Sequence, residues 1–97
     1  MARFVILGTF TDQGISKVQD TVKRADAAKA MAKKAGAEMV DIHWLLGPFD
    51  LIATVEAPDE QTMTAVSLSL ARLGNVRGQT LRAFTAEEMD RIIGKLV

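Results

Sequence analysis

Few residues of this chain could do chemistry. It has one histidine, His43, two positions after Asp41 on a stretch that alternates like a strand. Histidine titrates near neutrality, so His43 is a candidate general base. Asp41, Glu56 and Arg82 complete the candidate catalytic set. No serine or cysteine stands near His43 on its hairpin, so a nucleophilic triad has no nucleophile there. A hydrogen-bonded structural histidine is the preferred reading, with cation binding by Asp41, His43 and Glu56 a lesser alternative. No metal site is assigned. A second group, Asp12, Phe49 and Asp50, is the candidate ligand-binding set. Its plainer reading is that the Asp50 carboxylate accepts backbone N–H groups in the turn Gly47-Pro48-Phe49-Asp50. Lys17, Lys23, Arg24, Lys29, Lys33 and Lys34 form a basic helix side against Asp20 and Asp26. With no aromatics among these charges, a solvated face is expected there. Gly8 and Gly14 make no phosphate loop, and no nucleotide-binding glycine pattern occurs, so no cofactor is assigned.

Composition narrows the function classes. The chain has 97 residues, of which 48% are hydrophobic, enough for one core and one domain over 1–97. Twelve basic residues balance twelve acidic ones, which argues against a nucleic-acid partner. With no cysteine, disulfides, thiolate catalysis and thiolate zinc sites are excluded. No apolar run approaches the ~20 residues of a membrane span. Arg3 is followed by a short apolar run ended by Gly8, which is no signal-peptide pattern, so a cytoplasmic location is expected.

The elements that would carry these residues follow from periodicity and punctuation. Phe4-Val5-Ile6-Leu7 centres a strand over 3–10. Residues 15–19 form a separate turn. Thr21, Ala25, Ala28, Ala32 and Ala35 then stripe a helix, capped by Asp20 or Thr21 and ended by Gly36. Residues 37–46 and 51–57 form a β-hairpin around Gly47–Asp50. Pro58-Asp59-Glu60 opens a helix striped by Met63, Val66, Leu70 and Leu73 and stopped by Gly74. A strand over 75–84 follows. Thr85 and Glu88 then make a capping box for a last helix striped by Met89, Ile92, Ile93 and Leu96. This order predicts an α+β, ferredoxin-like βαββαβ fold with an additional C-terminal helix. Its four-stranded antiparallel sheet, in the order 4-1-3-2, has both main helices on one face.

Five stretches carry a family resemblance. They are Thr11-Asp12-Gln13-Gly14-Ile15, Gly47-Pro48-Phe49-Asp50, Glu56-Ala57-Pro58-Asp59, Leu73-Gly74-Asn75-Val76-Arg77 and Thr80-Leu81-Arg82-Ala83-Phe84-Thr85. In these the chain resembles the GYD-domain family of small bacterial proteins. The resemblance implies a ferredoxin-like or dimeric α+β-barrel fold and no established activity. Phe49 stands where the family motif has tyrosine, so a phenolic hydroxyl cannot be essential at that position here.

Two functions are expected from these observations. The first is a small homo-oligomeric module, a homodimer or higher, with a binding, regulatory or assembly role and room for a small-molecule ligand. The alternative is a monooxygenase- or isomerase-like enzyme with a cavity inside a dimeric barrel. Self-association follows from Gln61–Ala71, a helical stretch without a charge, and from an open sheet face expected to carry Val5, Leu7, Met39, Leu45 and Ile52. A two-residue turn at Pro48-Phe49 would set Leu45 opposite Ile52, His43 opposite Thr54 and Asp41 opposite Glu56. That crowds two carboxylates, with Arg3 and Arg82 as expected counter-charges.

Overall fold

The computed structural model describes all 97 residues. Strands β1 (Ala2–Phe10), β2 (Glu38–Trp44), β3 (Leu51–Ala57) and β4 (Val76–Ala83) form one antiparallel sheet in the order β2-β3-β1-β4. Helix α1 (Asp12–Ser16) and a 3-10 turn (Val18–Asp20) follow β1 and lead into α2 (Thr21–Lys34). Helix α3 (Glu60–Ala71) joins β3 to β4, and α4 (Ala86–Ile93) follows β4. This is the ferredoxin-like arrangement that the element order predicts.

The core lies between the sheet and the helices α2 and α3. Strand β3 shows why most plainly: Leu51, Ala53, Val55 and Ala57 are buried, while Ile52, Thr54 and Glu56 between them face the other way. Phe4 and Ile6 of β1 and Met39 of β2 join the buried face, and Ala32, Met63 and Val66 close it from the helices. Because α2 presents alanine, with Ala25 and Ala32 buried, its backbone can lie close to the strands.

Helix boundaries follow local chemistry. Asp59 caps α3 by accepting the Thr62 N–H at 2.7 Å. The Thr85–Glu88 capping box of α4 makes both its bonds, 3.2 Å from the Glu88 N–H to the Thr85 hydroxyl and 3.0 Å from the Thr85 N–H to the Glu88 carboxylate. Asp20 occupies the N-cap position of α2 but makes no side-chain capping bond. After α2 the chain turns at Gly36 with φ +93°, a left-handed conformation that suits glycine.

The hairpin departs from the expected register. A bulge between Met39 and Asp41 shifts β2 by one residue against β3. Asp41 faces Thr54 and His43 faces Ile52, each two residues along β3 from its expected partner, and beyond the bulge Glu38 takes the place opposite Glu56. That displacement starts at the loop, which is longer than two residues: β2 ends at Trp44, β3 begins at Leu51, and the Leu45 N–H donates to the Asp50 carbonyl. Met39, expected on the open face, is buried in the core, while Val40 is exposed. The reason is spacing. Met39 and Ile42 both pack in the core, yet they are an odd number of residues apart. Strict alternation cannot point both inward, and the inserted residue at Val40 resolves the conflict.

Candidate functional site

Three of the stretches that carry the family resemblance converge on one end of the sheet, where β1 leaves it. Thr11 is the hub. Its backbone N–H donates to the Asn75 carbonyl at 3.1 Å. Its hydroxyl donates to the Gly74 carbonyl at 2.5 Å and accepts from the Gly14 N–H at 3.0 Å. Gln13 Nε2 reaches the Leu73 carbonyl at 3.1 Å and Asn75 Oδ1 at 2.9 Å. Gly14 is buried against this loop so closely that an added Cβ would lie 1.9 Å from the Asn75 carbonyl oxygen. Gly74, with φ +83°, makes the turn that presents these carbonyls. The third stretch arrives through Asp50: Oδ2 accepts the Phe10 N–H at 2.8 Å, and the Asp50 N–H donates to the Gly8 carbonyl at 2.8 Å. Asp50 is thus a backbone acceptor, as its plainer reading holds, but it serves β1 rather than its own turn. Phe49 beside it is half-buried, and Asp12 is an exposed residue in the first turn of α1.

Next to this junction lies a cavity of about 170 Å³ between α2, α3 and the sheet. Ile6, Met39, Ile42, Leu51 and Leu70 form much of its wall, and Thr21, Arg24, Asn75, Ser67 and Thr80 supply its polar groups. Arg24 is the residue that sequence reasoning misplaced. Grouped with the solvated lysines, it is half-buried instead, and its Nη2 donates to the Gly14 carbonyl at 3.0 Å. Its signal was available: it lies three residues after Thr21 and one before Ala25, at the edge of the alanine stripe.

The candidate catalytic residues do not assemble into one site. Strand β1 pairs Phe4 with both Val55 and Arg82, so Arg82 lies on the helix side of the sheet. There it stands over the rings of Phe84, 4.6 Å away, and Phe4, 5.6 Å away. Its Nη2 pairs with Glu88 at 3.2 Å, and its Nη1 donates to the carbonyls of Arg3 and Ala83. Asp41, His43 and Glu56 occupy the open side, on three alternate rungs of the sheet. Glu56 is neutralised by Arg3 at 2.7 Å, as expected, but the carboxylate directly opposite it is that of Glu38 and not of Asp41. Nowhere do three His, Asp or Glu side chains come together as metal ligands would.

Two carboxyl groups are held below their ordinary pKa, and both do structural work. Glu88 is lowered first by the Thr85 backbone N–H and then by the Arg82 guanidinium. Asp59 is lowered by the backbone N–H and then the hydroxyl of Thr62. In both, hydrogen bonding favours the charged form, as expected at helix N-termini.

The open face is amphipathic. Val5, Leu7, Ile52 and Leu81 run across its middle, with Leu81 47% exposed. On the opposite side of the molecule Leu68 projects from α3 at 64% exposure. Met89, Ile93 and Leu96 of the C-terminal helical segment are also exposed.

Fold and junction together define a small ferredoxin-like module with a braced end. The chain belongs to the GYD domain family, whose model matches residues 4–93. It is 30% identical over 90 residues to a Thermus thermophilus protein named "Glutamine synthetase and cystathionine beta-lyase binding protein", covering 92% of this chain and 95% of that one. Among solved structures, TTHA0845 from Thermus thermophilus superposes with a TM-score of 0.58 at 23% identity, over 89% of this chain and 96% of that one. MtbAldR superposes with a TM-score of 0.68 at 14% identity, over 87% of this chain. This chain spans 53% of the length of MtbAldR, and at these identities both likenesses concern the fold.

Proposed function

We propose that this protein is a homo-oligomeric binding module whose partners are enzymes, of the kind for which its Thermus relative is named: glutamine synthetase and cystathionine β-lyase. The geometric observation that carries the reading is an uncovered apolar stripe on the open sheet face together with an uncharged outer side of α3 that exposes Leu68. The open face, with Val5, Leu7, Ile52 and Leu81, serves a second copy of the chain. The outer side of α3, where no charged residue occurs from Gln61 to Ala71 and Leu68 stands exposed, serves the enzyme. The end-to-end likeness to the Thermus protein supports the choice of partner class. Dispersal of His43, Asp41, Glu56 and Arg82 over two faces supports a binding role over catalysis by that set.

The test is light scattering coupled to size exclusion, on the chain alone and mixed with glutamine synthetase and cystathionine β-lyase from the same cells. The expected result is a dimer, or a multiple of it, that co-elutes with at least one enzyme. Leu68→Glu should abolish co-elution and leave the oligomer intact, whereas Leu81→Glu should give a monomer. A monomer at micromolar concentration that binds neither enzyme would overturn the reading.

A further inference from the structure

The cavity beside the junction has a chemistry that the enzyme-binding reading does not use. Twelve of its 18 lining residues are hydrophobic, and one lining residue, Arg24, carries a charge. Its other polar side chains are neutral, and each makes one hydrogen bond. Thr21 Oγ1 accepts the Trp44 indole N–H at 3.0 Å. Asn75 Oδ1 accepts from Gln13, and the hydroxyls of Ser67 and Thr80 bond each other at 2.8 Å. Arg24 differs from them. A guanidinium has five N–H donors, and here one hydrogen bond, to the Gly14 carbonyl, is made. The ion pairs of the protein are Arg3–Glu56, Arg82–Glu88 and Arg91–Glu87, so no carboxylate answers Arg24. A half-buried guanidinium at an apolar cavity, with donors to spare and no anion, is a binding group for one.

We propose that this cavity binds a small monocarboxylate with a compact apolar body, and that Arg24 holds the carboxylate. Size limits the body. An apolar cavity of roughly 150 Å³ accepts benzene, and this one, at about 170 Å³, takes a short branched or aromatic acid. Charge limits the head. No aspartate or glutamate lines the wall, so the ammonium of a zwitterionic amino acid would find no carboxylate partner there. The carboxylate meets Arg24 at the α2 side, and the tail lies against Ile6, Ile42, Leu51 and Leu70. The Gly14 carbonyl bond fixes the guanidinium beforehand, which reduces the ordering cost of binding.

Isothermal titration and thermal unfolding of the full chain decide the matter, with isovalerate and benzoate as probes. Isovaleramide has the shape of isovalerate without its charge, and leucine adds the ammonium. The expected result is that the acids bind and raise the melting temperature, while isovaleramide and leucine bind about tenfold more weakly or worse. Arg24→Gln, which removes the charge, should lose a similar factor. Ala28→Leu, filling the cavity from α2, should abolish binding and keep the fold. Failure of both acids to bind would overturn the proposal. So would equal binding of acid and amide, or undiminished isovalerate binding by Ala28→Leu. Should Arg24→Gln fail to fold, the acid–amide comparison on the unaltered chain and the Ala28→Leu variant still decide. None of these readouts involves the enzyme partners.

Discussion

Gly14→Ala tests whether the junction at the end of β1 is a close-packed brace. Two effects oppose each other. Gly14 lies inside α1, and alanine in a helix is favoured over glycine by about 0.8–1 kcal/mol. Against this, the new Cβ would sit 1.9 Å from the Asn75 carbonyl oxygen and 2.8 Å from its carbonyl carbon. These are backbone atoms, so no side-chain rotation relieves the overlap, and α1 and the α3–β4 loop must separate. Four hydrogen bonds span that gap: from the Thr11 N–H and hydroxyl, and from Gln13 to Leu73 and Asn75. Losing two or three of them, at about 1 kcal/mol each, outweighs the helix gain and leaves a net loss of about 1–2 kcal/mol. For a domain of this size that lowers the melting temperature by roughly 5–15 °C. Thermal unfolding followed by circular dichroism reads the shift. Gly94→Ala is the control: the nearest atom to its added Cβ is 3.4 Å away and its φ is −63°, so stability should hold or rise. If Gly14→Ala is as stable as the unaltered protein, the brace is not close-packed and the reasoning fails.

Two further outcomes follow from named bonds. Asp50→Ala removes the acceptor of the half-buried Phe10 N–H and should cost about 1–2 kcal/mol in urea unfolding, whereas Asp50→Asn, which keeps an oxygen, should lose much less; equal stability of the two variants would contradict the assignment. Glu88 is lowered in the folded state, so its contribution is complete above the ordinary glutamate range and is lost as pH falls through the lowered value. Amide exchange of α4 should therefore accelerate relative to Glu88→Gln on acidification, and parallel pH profiles for the two would rule the linkage out.

Much of this protein was legible in the order of its residues, wherever the deciding interaction is local. Thr85 and Glu88 cap α4 across three residues, Asp59 caps α3 over the same span, and Gly36 and Gly74 turn the chain because few other residues adopt a positive φ. The strict alternation of Leu51–Ala57 likewise determined which side of β3 is buried. Arg3 and Glu56 meet because the antiparallel pairing of β1 with β3 sets them opposite each other, a pairing that follows from the fold class. What tertiary structure alone decided are the matters in which distant residues compete for one space. Met39 and Val40 are both apolar neighbours, and nothing local selects which of them enters the core. Packing with Ile42 against the helices selects Met39, expels Val40 into a bulge and sets Glu38 opposite Glu56. Arg24 reads as one more cation on a basic helix, and only the Gly14 carbonyl, brought near it by the packing of α1 against Asn75, ties it to the junction beside the cavity. Local spacing specifies caps, turns and faces because their partners lie within a few residues. Register and cavity depend on volumes filled from several elements at once, and those volumes exist only after the elements have packed.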